Sequence, residues 1–269
     1  MDLFRPDAFA GKTVFVAGGS SGINLGIAQR FAELGARLAL ISRSPERIAA
    51  AAQGLVETGA EAIGIAADVR DYGAMDAAFA EAFERFGPID VVISGAAGNF
   101  LAPAVGLSAN AFRTVIEIDL IGTFNVLRAS FDRLRRPGAA LISITAGQAK
   151  RPLMFQAHAS AAKAGINNLT ETLAMEWGPA GIRVNAISPG PIGDTEGMAR
   201  LAPSEAATAA LKARIPMRDY GTKRDIADAA VFLASDNARF ITGAVLEVDG
   251  GSLLGDASAD ALTVPERAA

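Results

Sequence analysis

Seven short apolar runs punctuate this chain, each followed by a stretch with helical spacing: TVFVA at 13–17, RLALIS at 37–42, AIGIAA at 62–67, DVVIS at 90–94, ALISIT at 140–145, IRVNAIS at 182–188 and AVLEV at 244–248. Runs with so few polar interruptions are strands buried on both faces. Covering both faces takes helices on each side, and hence parallel strands joined by crossover helices. Ile27, Phe31 and Leu34, and again Met75, Phe79 and Phe83, recur between the runs at the spacing of a buried helix face. The expected fold is α/β: one doubly wound domain over 1–269, its seven-stranded parallel sheet covered by helices on both faces. A ligand then belongs at the carboxyl ends of the strands.

Composition narrows the function. With 51% hydrophobic residues in 269, the chain has ample material for one core. The net charge is −4 and the basic residues are scattered singly, which excludes the basic stripe of a nucleic-acid partner and the polybasic patch of a membrane-surface protein. There is no cysteine and only one histidine, so disulfides, thiolate nucleophiles and a metal site are not expected. The opening MDLFRPDAFAGK has no basic region followed by an apolar stretch, no run approaches the roughly 18 apolar residues of a membrane span, and the final PERAA matches no peroxisomal address. The expected location is the cytoplasm. The stretch 193–217, with Gly197, Pro203 and Pro216 around an amphipathic piece at 204–214, is expected to form a substrate lid. The tail 253–269 has little periodicity and is expected to be mobile.

The first strand runs straight into AGGSSGINLG at 17–26, which opens the first helix. Gly18, Gly22 and Gly26 fall at every fourth residue. Glycine there allows a tight turn, close approach of backbone to a pyrophosphate and close helix packing, while the helix N-terminus attracts the anion. Ser20, Ser21 and Ile23 complete this Rossmann-like, dinucleotide-binding loop. A site for NAD would carry an acid at the end of the second strand to hold the ribose 2′-hydroxyl; this chain carries Arg43, which suits a 2′-phosphate and therefore NADP(H). Asp68, followed by Val69 after the third strand, is placed to accept from adenine or to cap the next helix.

Together with that loop and strand rhythm, SGAAG at 94–98, Lys163, the Pro189–Gly190 pair and VDGG at 248–251 resemble the short-chain dehydrogenase/reductase family over nearly the whole chain. AAGNF at 96–100, IDLIGTFNV at 118–126, HASAAKAG at 158–165 and PGPIGDTEG at 189–197 look like the 2,4-dienoyl-CoA reductases within it, the peroxisomal type above all. The resemblance implies that Gly95, Ala96, Lys163, Pro189, Gly190, Ile192 and Thr195 also contact the dinucleotide, with Thr195 equally suited to capping a lid helix. It implies an acyl-CoA substrate and a homo-oligomer, a tetramer built through the last helix and strand.

The chain departs from the common family pattern wherever an acid would stand. Ala159 occupies the tyrosine position four before Lys163, Thr145 and Ala146 the serine region, Asp119 the asparagine position, and Gln156 the tyrosine position of the enoyl reductase variant. Dienoyl-CoA reductases of this subgroup likewise dispense with that tyrosine. Hydride addition at the far end of a conjugated dienoyl thioester gathers charge on the thioester oxygen, so the need is oxyanion stabilisation and then a proton to carbon. Lys163 and Asp119 are the expected catalytic pair, together orienting a water; a buried structural ion pair is the competing reading.

Asn99, Phe100 and Thr145 are expected at the substrate. His158 sits about 140° around the helix from Lys163 and is expected at its periphery or in a structural role. Lys150, Arg151, Arg200, Lys212, Arg214 and Arg218 are available to coenzyme A phosphates, none singled out. Two other functions stay open: an NADPH-dependent enoyl or 3-oxoacyl reductase, and a non-catalytic NADP(H)-binding sensor or scaffold.

Overall fold

The structure, a computed structural model, describes residues 4–195, 198, 202, 204–259 and 262. Gly197, Arg200, Pro203 and most of the expected tail beyond 259 lie outside the described residues.

All seven expected strands form: β1 (Thr13–Ala17), β2 (Arg37–Ser42), β3 (Ala62–Ala66), β4 (Val91–Ser94), β5 (Ala140–Ile144), β6 (Arg183–Pro189) and β7 (Val245–Val248). Their boundaries differ from the apolar runs by one residue at most. They make one parallel sheet in the order β3-β2-β1-β4-β5-β6-β7. The helices are α1 (Gly22–Glu33), α2 (Pro45–Glu57), α3 (Tyr72–Phe86), α4 (Ala109–Ile116), α5 (Gly122–Ser130), α6 (Ala157–Trp177), α7 (Glu205–Arg214) and α8 (Lys223–Ala234). The amphipathic piece expected at 204–214 is α7, capped by Ser204.

Alternation along β1 explains the two layers. Val14 and Val16 point into a core with Ile27 and Phe31 of α1 and Ile226 and Val231 of α8. Phe15 and Ala17 point into the opposite core with Met75 and Phe79 of α3, Val126 of α5 and Leu173 of α6. Phe15 stacks on Phe79 with ring centroids 3.8 Å apart, and burying each such ring stabilises the fold by about 2–3 kcal/mol. Phe83 departs from expectation and is 41% exposed. At about 100° per residue the position beneath Met75 is i+7, so Ala82 and then Phe86 continue the buried stripe while Phe83 swings out. β3 and β7 are only partly covered because they are the two edges of the sheet.

The strand order reverses between β1 and β4, which opens a crevice at their carboxyl ends. Gly18 and Gly19 donate their N–H groups to Ile41 O, and Gly95 donates to Ala17 O, so the loops after β1, β2 and β4 are bound into one rim. Among the described residues no helix is long and apolar enough to cross a membrane.

Candidate active site

A cavity of about 1070 Å³ fills the crevice. Its first wall is the glycine loop. Gly18 has φ +79°, and a Cβ there would come within 2.9 Å of the Ala96 backbone; Gly22 has φ +62° with open space before it. Both positions require glycine's left-handed freedom, and the first also requires its lack of a side chain. Gly18, Ser20, Ser21, Gly22 and Ile23 all line the cavity. Side chains cap α2, α3, α4, α7 and α8, whereas the head of α1, like that of α6, has no side-chain cap, and the α1 end faces the cavity. Gly26 stands outside the lining: a Cβ there would lie 2.8 Å from Lys223 Cβ, so its small size serves the packing of α1 on α8.

Past β2, Ser42, Arg43, Ser44 and Arg47 line one end of the cavity. Asp68 and Val69 line it beside them, but the Asp68 carboxylate is taken by the Arg70 fork at 2.6–3.1 Å and by the Arg70 N–H. The hydrogen bond from Arg70 holds the Asp68 carboxyl below its ordinary range against the opposing cost of burial, and the Arg43 charge adds to the effect. Of the remaining expected dinucleotide contacts, Gly95, Ala96, Lys163, Pro189, Gly190 and Thr195 line the cavity. Ile192 does not; it is buried in the α1–α8 core. Thr195 Oγ1 donates to Ile192 O at 2.8 Å and accepts from Met198 N at 3.4 Å, the capping arrangement that its spacing also allowed.

The opposite wall is made of buried charge. Lys163 Nζ lies 3.3 Å from Asp119 Oδ2 and donates to Ile144 O at 3.0 Å. Asp119 Oδ1 accepts from Gly98 N at 2.8 Å. The side chains are 8% and 1% exposed. Two glycines allow close packing around the pair. Gly165, two residues after the lysine, leaves room for Leu120, whose Cδ2 would stand 2.8 Å from a Cβ, and Gly122 does the same for Val69. Between α4 and α5 the helix widens into a π segment, Glu117–Ile121, with Asp119 at its centre. Such bulges recur at functional sites, and the apolar pattern around Asp119 gave no sign of this one.

Thr145 lines the cavity, but its hydroxyl donates to Lys163 O at 3.3 Å, which leaves it only as an acceptor toward a substrate. Asn99 lines the cavity; Phe100 does not, and packs on His158 with the rings tilted by 35° and centroids 4.4 Å apart. His158 is fully buried behind Phe100, and neither ring nitrogen has a partner among the described residues. Arg47, Asn24, Gln148, Asp194 and Lys223 line the cavity without having been singled out from sequence. Asn24 could have been: a polar amide two residues into a helix is a poor helix former, and here it donates to Gly95 O at 2.8 Å and Gly18 O at 3.3 Å, tying the two loops together.

The family model described as Enoyl-(Acyl carrier protein) reductase matches residues 17–252. The chain is 44% identical to the peroxisomal 2,4-dienoyl-CoA reductase, (3E)-enoyl-CoA-producing, of Rattus norvegicus over 252 residues, which cover 93% of this chain and 86% of that protein. It is 37% identical to the (2E)-enoyl-CoA-producing "Probable 2,4-dienoyl-CoA reductase" of Bacillus subtilis (strain 168), covering 90% of this chain and 97% of that one. Among solved structures, a blue fluorescent protein from a metagenomic library in complex with NADPH superposes with a TM-score of 0.82 at 32% identity, covering 91% of this chain and 99% of that one.

Proposed function

From the premise that the chain belongs to the short-chain dehydrogenase/reductase family of oxidoreductases, we propose that it is an NADPH-dependent 2,4-dienoyl-CoA reductase working through Lys163 and Asp119. The observation that carries this reading is the cavity that joins a glycine cradle to a buried Lys163–Asp119 pair, with Ala159 standing where a tyrosine acid would be needed to reduce an isolated carbonyl and the hydroxyl of the serine region, Thr145, donating to Lys163 O.

The residues present fit a phosphorylated dinucleotide. The backbone of 18–23 and the uncapped head of α1 suit the pyrophosphate. Arg43, with Arg47 beside it, suits the 2′-phosphate. Gly95, Ala96, Pro189, Gly190 and Thr195 line the same cavity and would meet the nicotinamide half, with Lys163 holding the ribose. When bound, the nicotinamide supplies hydride.

The protein's own work is electrostatic. Lys163, held by Ile144 O and paired with Asp119, would face the place where the thioester oxygen becomes negative. Asn99 offers an amide N–H to the same oxygen. Asp119, fixed by Gly98 and Lys163, orients a water that delivers the proton to carbon. With hydride on C5, a proton delivered to C2, next to the thioester, leaves the remaining double bond at position 3, and a proton delivered to C4 leaves it at position 2. The higher identity to the (3E)-producing enzyme favours the first.

The segment 193–217, with α7, is the lid in this reading. The same reading includes a cytoplasmic protein and a tetramer formed through α8 and β7; Phe240, in the loop between them, is 96% exposed, and Leu254, past β7, 87%. The test is loss of nicotinamide absorbance when purified protein is mixed with NADPH and trans-2,trans-4-hexadienoyl-CoA, with crotonyl-CoA and acetoacetyl-CoA as controls. Consumption with the diene alone is expected; consumption with a control instead moves the substrate class, and silence with all three despite NADPH binding leaves a dinucleotide-binding protein without this activity.

A further inference from the structure

Asn99 stands on the irregular loop after β4, next to Gly98, where nothing in the backbone holds a side chain in one rotamer. The structure ties it from elsewhere. Asn99 Nδ2 donates to Gln156 Oε1 at 3.0 Å, and Gln148 Nε2 donates to the same oxygen at 3.2 Å. A carbonyl oxygen has two lone pairs, so this one is saturated, and each donating amide keeps its second N–H. Both donors line the cavity, while Gln156 is buried behind them at 8% exposure.

Gln156 is the N-cap residue of α6, yet its side chain makes no bond to its own helix. Its neighbour Phe155 has φ +66°, an uncommon conformation for a residue with a side chain, and the Phe155 carbonyl accepts from Ala102 N at 2.9 Å. The β4 loop is thus fastened on both sides of Asn99: at Gly98 to Asp119 of the π segment, and at Ala102 to Phe155 before α6.

We infer that Gln156 is a positioning residue: its carboxamide oxygen sets the rotamer of Asn99 so that the free Asn99 N–H meets the thioester oxygen as negative charge gathers there. The inference rests on the dienoyl reductase reading above. An N–H aimed at developing charge is stronger in the transition state than in the ground state, so its misalignment lowers kcat more than it raises KM. Gln148, held by the same oxygen, is the second amide of this wall.

The experiment compares wild type, Gln156→Met, Asn99→Ala and the double variant, with NADPH and hexadienoyl-CoA as probes and NADPH binding followed by fluorescence. Methionine keeps the volume and removes the acceptor. Gln156→Met is expected to lower kcat about 10- to 100-fold with NADPH affinity unchanged, and to lower it no further in the Asn99→Ala background, because a residue acting through Asn99 has nothing left to position. Unchanged kcat in Gln156→Met, or losses that multiply in the double variant, overturn the inference. Gln156→Glu, which keeps an oxygen acceptor, guards against a Met variant that fails to fold: it stays more active than Asn99→Ala, and an NADPH-binding Glu variant no better than Asn99→Ala also overturns it. A wild type silent on the diene removes the reading and this inference with it, whereas an active wild type with an indifferent Gln156 removes the inference alone.

Discussion

The two walls of the crevice recognise by different means. On the side of β1, α1 and β2 the working groups are backbone N–H donors, empty space at Gly18 and Gly22, and exposed cations at Arg43 and Arg47. On the side of the π segment and α6 they are side chains taken out of water, Asp119, Lys163 and Gln156, each held by two fixed partners. A wall of backbone and solvent-facing charge tunes affinity and cofactor choice. A wall of buried, pre-oriented charge acts where charge develops during reaction, since fixed dipoles in a water-excluded site need no reorganisation. Substitutions on the first wall are therefore expected to appear in binding and those on the second in turnover.

Lys163 is the residue that breaks this division, because it serves both walls. Lys163→Ala is expected to lower kcat on the order of 1000-fold and to weaken NADPH binding as well. It also leaves the Asp119 carboxylate buried with only the Gly98 N–H, a loss of about 3–5 kcal/mol that calorimetry reads as a drop in Tm of roughly 10 °C. A variant that loses turnover alone, with Tm unchanged, places Lys163 outside the ion pair that the geometry gives it.

Arg43→Asp sharpens the division. It is expected to move the NADPH to NADH preference in kcat/KM by about 30-fold, the worth of a charge-assisted contact to phosphate, while kcat at saturating cofactor stays put. Unchanged discrimination assigns the phosphate to Arg47 or another cation.

The smallest effect concerns the Asp68–Arg70 pair at the edge of the first wall. The folded-state pKa of Asp68 is lowered, so its stabilisation is complete above the ordinary carboxylate value of 3.8 and is lost as pH falls through the lower folded value. Both groups are partly solvent-exposed, so the contribution is under about 1 kcal/mol. Asp68→Asn is expected to leave the Tm difference between pH 5 and pH 3 smaller than in wild type by only a few degrees; an equal difference in both proteins removes the pair from the acid response.

The first wall was the more legible in sequence, and the reason is physical. A strand, a glycine turn and a helix start are local events, so Gly18, Gly22 and Arg43 could be placed from neighbouring residues alone. Seven strands were legible for the same reason, because burial on both faces writes itself into each run separately. The second wall depends on contacts between segments about 20 to 60 residues apart, as in Gly98–Asp119 and Asn99–Gln156. Asp119 and Lys163 could be paired in advance because a lone acid in an apolar helix needs a partner. The π segment that presents the acid and the double use of Gln156 left no local trace. Gly26 serves the helix packing that its glycine pattern allows, whereas Ile192 shows the converse: the resemblance pointed to the dinucleotide, while its side chain is buried in the core.

The central claim is that buried charge at Asp119 and Lys163 replaces a hydroxyl acid, and Asp119→Asn tests it most directly. The change is isosteric and keeps an acceptor for Gly98 N while removing the charge. NADPH affinity and the turnover of hexadienoyl-CoA at saturating NADPH are measured on the same preparation. The account predicts affinity within about threefold of wild type and kcat lower by about 100-fold or more. Turnover near that of wild type would contradict it and leave Asp119 as half of a structural ion pair.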